Sequence, residues 1–175
     1  MQVPTLNGFS STVHLADARE LVDGIILFPE WTVANPDATG FGNGSLSLEI
    51  VKGKKGDILR IRTDESLLFT ADGVVFQGQL IARPLAQVRF ANSGPKLAYL
   101  FMDGVFWDGA SALLQRIELA NSQVDASTRE IAIEVVDADK DVLKATVNIT
   151  ADLPTTPARQ RTPKQAKIPS WRQKK

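Results

Sequence analysis

The sequence predicts an all-β domain over residues 1–153, an antiparallel sandwich or a barrel, followed by an extended basic C-terminal arm over residues 154–175. Two observations support this prediction. Short stretches of alternating apolar and polar residues recur at a spacing of roughly 10 residues, separated by Gly, Asn and Asp turn signals. The arm, in contrast, carries seven Lys and Arg residues and no Asp or Glu.

The N-terminal part of the domain is the least regular. Asp17 with Glu20 fits a capping box, so the one short helix near the N-terminus is predicted over residues 18–23, with Gly24 as its stop. Residues 25–28 are predicted to form a short strand that ends at Pro29. Residues 30–44 are predicted to form a long loop, and loops of this length are often functional.

The middle of the chain alternates with the period of a strand. Leu46, Leu48 and Ile50 share one face, and after a Gly-Lys-Lys-Gly turn Leu59 and Ile61 alternate in the same way, which predicts a β-hairpin over residues 45–62. Further strands are predicted over residues 66–70, 74–83 and 85–91. Residues 96–102 are apolar on both faces, which is typical of a central strand.

The rest of the domain is predicted as two hairpins with an ambiguous segment between them. The pair Asp103-Gly104 before Val105 predicts a tight hairpin turn. Residues 110–119 fit either a helix or a strand, and the strand is favoured because its neighbours are strands. Residues 129–136 and 142–151 are predicted as a closing hairpin. The set of short strands indicates a sandwich, immunoglobulin-like or jelly-roll-like, or a barrel, with the strand order left open.

Composition excludes several kinds of site. The chain has no Cys, which excludes disulfides, thiolate zinc ligands and a cysteine nucleophile, and His14 is its single histidine. Its start lacks the basic and apolar regions of a secretory signal, and no apolar run approaches the ~20 residues of a membrane span. We therefore expect no membrane partner and a cytoplasmic location, unless the protein belongs to a virion.

Three patterns suggest chemistry, and each has a more ordinary interpretation. His14 near Asp17 could act as a base, but a lone His is more often structural. Asp137, Asp139 and Asp141 have the spacing of a calcium loop, yet Val142 and Asn148 stand where that loop needs Gly and Glu, so a simple turn is favoured. The glycines at 40, 42 and 44 lack the Lys-Ser/Thr ending of a phosphate loop. We therefore predict no catalytic residue, cofactor or metal site, and no enzyme.

Aromatic residues near predicted loops are candidate contacts. Trp31, Phe41 and Trp107 are predicted to offer a loop contact surface, for protein or for carbohydrate, although core packing is equally compatible with large rings. Tyr99 lies in the run predicted to be buried.

The arm has the strongest functional pattern. The whole chain has 20 basic and 20 acidic side chains, so removing the seven arm cations leaves residues 1–153 with a net charge of 13 − 20 = −7. Four prolines favour an extended arm that would reach about 70 Å as polyproline II. Its predicted partner-binding residues are Arg159, Arg161, Lys164, Lys167, Ile168, Trp171, Arg172, Lys174 and Lys175.

This architecture, a cysteine-free β module with an irregular start and a basic arm, resembles the small accessory structural proteins of tailed-phage virions, of the decoration, neck or tail-junction type. The resemblance implies a structural protein that forms homo-oligomers or joins a larger assembly through its arm. It carries no functional residue across. Two alternatives remain: nucleic-acid binding, with Trp171 stacking on a base but an acidic domain opposing it, and a carbohydrate-binding or receptor-binding module using Trp31 and Trp107.

Overall fold

The structure is a computed structural model, and it describes residues 3–34, 40–85 and 92–154. Strands dominate the described ranges. The first strands and the first helix are β1 (Thr5–Asn7), β2 (Thr12–Leu15), α1 (Glu20–Asp23), β3 (Ile25–Ile26), β4 (Thr32–Ala34), β5 (Ser45–Lys52), β6 (Ile58–Ile61) and β7 (Leu67–Thr70). They are followed by β8 (Gly73–Phe76), β9 (Gln79–Pro84), β10 (Ser93–Gly94), β11 (Lys96–Phe101), α2 (Trp107–Leu114), β12 (Ile117–Ala120), β13 (Arg129–Val136) and β14 (Val142–Ala151).

Within the described residues the strands form three sheets, and none closes into a barrel. The large sheet has the order β2-β14-β13-β5-β11-β9-β8-β7 and is antiparallel except for the parallel pair β14 and β2. The small sheet has the order β10-β6-β12-β3, and β1 pairs with β4. The prediction of a β-rich, sandwich-like domain is thus confirmed at this coarse level.

One apolar core lies between the large sheet and the elements that cover it. Alternate residues of β5 and β13, such as Leu46, Leu48 and Ile133, point into this core, where they are almost fully buried. Leu59 and Leu119 of the small sheet and Leu113 of α2 belong to the same core. Burying each such side chain contributes about 1.5–3 kcal/mol, so the period-2 pattern fixes which sheet face is covered.

The outer face of the large sheet is polar. Lys96 of β11 pairs with Glu49 of β5 at 3.0 Å, and Lys144 of β14 pairs with Glu134 of β13 at 3.0 Å. These pairs cross neighbouring strands, as expected where opposite charges stand side by side on an exposed sheet surface.

Two predictions about the large sheet are confirmed. The closing hairpin exists as β13 and β14, joined in register from Arg129 opposite Ile149 to Val136 opposite Val142. The central strand exists as β11, which pairs with β5 on one side and β9 on the other.

The predicted hairpin over residues 45–62 is wrong. Its two strands form, but β5 pairs with β13 and β11 in the large sheet, whereas β6 pairs with β10 and β12 in the small sheet. The chain crosses between the sheets after β5, where Asp57 is buried. Local alternation specifies a strand and its inward face, but partner choice depends on distant segments.

The prediction of a hairpin at Asp103-Gly104 followed by a strand over residues 110–119 is also wrong. Gly104 does turn the chain, with φ 76°, but α2 follows, and β12 begins only at Ile117. Ala110, Leu113 and Leu114 are all buried in the core. The helix has no side-chain cap at Phe106, so the usual sequence signal for its start is missing.

The first helix is a single turn, shorter than the segment predicted. The Asp17 amide donates to Glu20 Oε1 at 3.0 Å, but the Asp17 carboxylate accepts from the Arg19 amide and side chain instead of capping the helix. Gly24 follows the helix with φ 86°. The predicted long loop contains β4, which pairs with β1 near the chain start.

Candidate functional site

Three segments meet at the end of the large sheet where β11 and β13 finish. Ser45 of β5 is paired with Leu100 on one side and Val136 on the other, which brings these strand ends together. The segment 40–44 lies between residues 101–106 and 136–138. Its backbone holds both sides, since the Phe41 amide donates to the Val105 carbonyl at 2.7 Å and Gly40 accepts from the Ala138 amide at 3.3 Å.

The glycines of this segment allow close packing. A β-carbon added at Gly42 would lie 2.9 Å from the Gly104 amide nitrogen, and one added at Gly40 would lie 2.9 Å from the Val105 carbonyl oxygen. Real β-carbons do not approach backbone atoms so closely. The glycines therefore join the three segments tightly, a packing role that replaces the phosphate-loop alternative.

Two large aromatic side chains project from this joined end. Phe106 and Trp107 are 57% and 58% exposed. They stand at the start of α2, between the buried Val105 and Gly109 that attach the segment to the core. We call this surface the aromatic tip and define it by Asp103, Phe106, Trp107, Asp108 and Asp139.

The aromatic tip is acidic. The two segments 103–108 and 137–141 contain five Asp, one Lys and no other charged residue. Asp137 is buried and accepts from the Asp141 amide at 2.9 Å, so it serves the turn. Lys140 donates through Nζ to the Asn43 carbonyl. Asp103, Asp108 and Asp139 are exposed and give the surface its negative charge.

A cleft of about 170 Å³ lies next to the aromatic tip. It is bordered by Phe106 and Asp108 on one side and by the turn between β8 and β9 on the other. Gln77 of that turn and Gln79 at the start of β9 add amide groups to its lining. The combination of exposed rings, carboxylates and amides can bind a ligand that has both apolar and polar or cationic groups.

The opposite end of the large sheet carries a cluster of buried charges that sequence reasoning missed. Arg129 and Asp57 side chains are each 1% exposed, and Arg129 Nε lies 3.1 Å from Asp57 Oδ2. Asn121 donates to the same carboxylate, and Lys54 donates to it through its amide at 2.6 Å. One signal was available, since Arg129 is in phase with the inward-facing Ile131 and Ile133.

A second buried carboxylate joins the small sheet to the helix α1. Glu118 of β12 has a side-chain exposure of 2%, and its two oxygens accept from Arg60 of β6 and from Arg62, the residue that follows β6. The same two guanidinium groups donate to the carbonyls of Asp23 and Gly24 at 3.2 and 3.0 Å. This network has a structural role, because its contacts join β6, β12 and the end of α1.

Two of the three predicted loop-contact residues belong to the core. Trp31 is 5% exposed and stacks on Phe28 with ring centroids 4.4 Å apart, and Phe41 is fully buried near Phe101. The prediction that Trp31 and Phe41 offer an exposed surface is therefore wrong, because both rings pack in the apolar core. Trp107 is the member of that set that is exposed. Burial also raises the pKa of the Tyr99 hydroxyl.

His14 contacts residues other than Asp17. Its Nδ1 lies 3.0 Å from Thr150 Oγ1, and its Nε2 lies 3.4 Å from Asp152 Oδ2. A hydroxyl, an imidazole and a carboxylate in a row resemble the parts of a nucleophilic site. The His14 and Asp152 side chains are 57% and 67% exposed, however, so water competes for both contacts and the row lacks the protected setting that such chemistry requires.

Among the described residues, no group of three His, Cys, Asp or Glu side chains is placed to hold a metal ion. The same ranges contain no helix with the length and apolar character needed to span a membrane. The predicted arm residues lie outside the described residues: Arg159, Arg161, Lys164, Lys167, Ile168, Trp171, Arg172, Lys174 and Lys175.

Comparison of the chain with protein-family models, with curated proteins and with solved structures found no match.

Proposed function

We propose that this chain is a non-enzymatic structural or assembly protein that binds a protein partner at the aromatic tip. The observation that carries the proposal is the pair of adjacent rings of Phe106 and Trp107, each more than half exposed, next to exposed carboxylates. Aromatic residues are enriched at the centres of protein interfaces, where a few of them supply most of the binding energy.

The exposed rings offer enough surface to anchor a partner. A large aromatic side chain has about 150–250 Å² to bury, and roughly half of it is still open here, so covering each ring contributes about 2–3 kcal/mol. A pair of such anchors suits a reversible docking site of modest size.

The negative charge of the aromatic tip favours a positively charged partner. Asp103, Asp108 and Asp139 would attract a segment rich in Lys and Arg and would repel an acidic one. A cationic side chain can also lie over the face of Trp107. The favoured partner is therefore a basic protein segment that contains its own apolar or aromatic anchor.

A second candidate function follows from the cleft next to the aromatic tip. Gln77 and Gln79 can both donate and accept hydrogen bonds, and Phe106 offers a face for stacking, a combination suited to a carbohydrate. The acidic surface disfavours nucleic acid at this position, because its carboxylates would face phosphates. A virion location, an immunoglobulin-like or jelly-roll-like topology and nucleic-acid binding by the arm stay predictions.

The test compares three probes by isothermal titration calorimetry. A synthetic peptide of residues 154–175 is titrated into a full chain whose seven arm cations are replaced by Gln, so that its own arm does not compete. We expect micromolar binding to this neutral-arm chain, weakened at least about tenfold by F106A/W107A. The matched control is L68A, which removes a 49% exposed side chain elsewhere on the sheet.

Two other results would overturn the proposal. Equal peptide affinity with and without F106A/W107A would show that the aromatic tip is not the docking surface. If the neutral hexasaccharide releases heat that is lost in F106A/W107A, and the peptide releases none, the carbohydrate function replaces the proposal. A DNA oligonucleotide titrated into the wild-type chain at low and high salt tests the remaining alternative.

A further inference from the structure

We infer that the partner of the aromatic tip is segment 155–175 of a second copy of this chain, so that copies join head to tail. This inference rests on the proposed function and adds the identity of the partner and the symmetry of the assembly. Three observations carry it: where the segment begins, which way the chain leaves the sheet, and how the two surfaces match.

The segment begins at the end of the molecule opposite the aromatic tip. Strand β14 starts beside the turn 137–141 and runs for ten residues to Ala151, which pairs with Leu15. At a strand rise of about 3.3 Å per residue, the last residue of β14 lies roughly 30 Å from its first. Ile149 faces Arg129, a member of the buried charge cluster at that far end.

The chain leaves the sheet pointing away from its own aromatic tip. The Asp152 amide still donates to the Leu15 carbonyl at 3.0 Å, and Leu153, 71% exposed, then follows. Pro154 and Pro157 come next, and proline-rich segments favour extended polyproline II with a persistence of several residues. Docking on the same molecule would require an immediate reversal and a return of roughly 30 Å, which this sequence disfavours.

The two surfaces match in charge and in apolar content. Segment 155–175 supplies seven cations and the apolar anchors Ile168 and Trp171. The aromatic tip supplies exposed carboxylates and the rings of Phe106 and Trp107. Trp171 lies 17 residues after Pro154, about 50 Å along an extended segment, which is enough to cross the gap to a neighbouring molecule.

The positions of the aromatic tip and segment 155–175 at opposite ends of the molecule determine the kind of contact between copies. A surface at one end that binds a segment leaving from the other end makes a heterologous contact, which generates open chains or closed rings. A segment that leaves the sheet pointing away from its own aromatic tip favours the open chain. Each added copy presents a new unoccupied aromatic tip and a new segment. We therefore expect a series of oligomers that lengthens with protein concentration.

The test measures the mass distribution of the full-length protein by sedimentation velocity. At low salt the wild type is expected to form a concentration-dependent series of oligomers, and about 1 M NaCl is expected to shift it toward monomer. F106A/W107A and the neutral-arm chain should each be monomeric, and L68A should behave as the wild type. A 1:1 mixture of the two defective chains keeps one intact contact and should form dimers that do not grow further.

Each other outcome overturns the inference. A wild type that stays monomeric while the peptide binds the neutral-arm chain refutes the second copy as partner and leaves the proposed docking surface intact. A single dimer species that does not grow with concentration refutes the open head-to-tail chain. Oligomers that persist in F106A/W107A refute the aromatic tip as the receptor, and failure of the peptide titration would refute the proposed function as well.

Discussion

The two ends of the large sheet differ in which kind of side chain is buried and which is exposed. At one end, charged side chains are buried, with Asp57 and Arg129 each 1% exposed. At the other end, apolar rings are exposed, with Phe106 and Trp107 more than half open. The first arrangement is a structural cluster within the fold, whereas the second leaves apolar surface available for binding.

The physical cost of each arrangement explains the difference. Removing Asp57 and Arg129 from water costs free energy, which is offset by their mutual contact and by further hydrogen bonds. Asn121 and the Lys54 amide donate to Asp57, and Arg129 donates to the carbonyls of Asp125 and Ser127. Exposed rings have no such compensation within the molecule. Burial of these rings against another surface would be favourable, because it removes their apolar area from water.

The largest expected effect comes from breaking the buried pair. R129M should leave the Asp57 carboxylate buried without its counter-charge, which costs about 3–5 kcal/mol of the free energy of unfolding. Urea denaturation followed by circular dichroism measures this loss. The double variant D57N/R129M should lose less than the sum of the two single variants, because the two side chains interact directly.

The control is K96M, which breaks the half-exposed pair with Glu49 on the outer face of the sheet. Its expected cost is within about 0.5 kcal/mol, since exposed ion pairs contribute little. Equal losses in R129M and K96M would contradict the distinction between a buried structural cluster and a solvated surface pair.

The next largest effect is the difference in stability loss between two Phe→Ala variants at the same end of the molecule. Phe41 is fully buried, with its ring centroid 6.0 Å from that of Phe101, whereas Phe106 is exposed. F41A should destabilise the fold by about 3–5 kcal/mol, and F106A should change its stability by less than about 0.5 kcal/mol. Urea unfolding of both variants, at a protein concentration below self-association, measures the difference.

A large loss of stability in F106A would mean that this ring packs against its own domain. The aromatic tip would then be part of the core, and the binding experiments with F106A/W107A would measure unfolding. A small loss keeps those experiments interpretable as tests of a surface.

The sequence predicts the parts of this fold that depend on local pattern. The period of Ile131, Ile133 and Val135 correctly indicates β13 and its inward face, and the Asp-rich turn after it joins the predicted hairpin. Pairing between distant strands does not follow from such patterns, so the local pattern wrongly predicts β5 and β6 as one hairpin. Helix α2 was missed because Phe106 offers no capping side chain and its neighbours in sequence are strands.

The candidate site was predictable only in part, for a related reason. Trp31 and Trp107 both lie next to predicted turns, and composition cannot tell which ring will face water. Packing decides it: Phe28 and Phe9 lie against Trp31, with ring centroids 4.4 and 5.1 Å away, whereas Trp107 starts a helix at the molecular surface. The charge asymmetry of the arm, in contrast, can be counted directly from the sequence.

The smallest expected effect concerns Asp64, which precedes β7. Its side-chain exposure lies between that of the buried pair and that of the exposed rings. It accepts from Ser66 Oγ at 2.7 Å, from Arg116 Nε at 2.7 Å and from the Leu67 amide at 2.9 Å. Chiefly the Ser66 hydroxyl, and then Arg116, hold the pKa of Asp64 well below its usual range. The side chain is 43% exposed, so D64N should cost only about 1 kcal/mol at neutral pH.

The pH dependence of that cost identifies its origin. Because folding lowers the pKa of Asp64, its contribution is complete above the unfolded value of about 3.9 and is lost as the pH falls below it. The difference in unfolding free energy between wild type and D64N should therefore be constant from pH 7 to 5 and shrink by pH 3. The neighbouring exposed carboxylate supplies the control E65Q, which should show a smaller difference at neutral pH. A D64N deficit that persists unchanged at pH 3 would mean that hydrogen-bond geometry, and not the charge of the carboxylate, holds this turn in place.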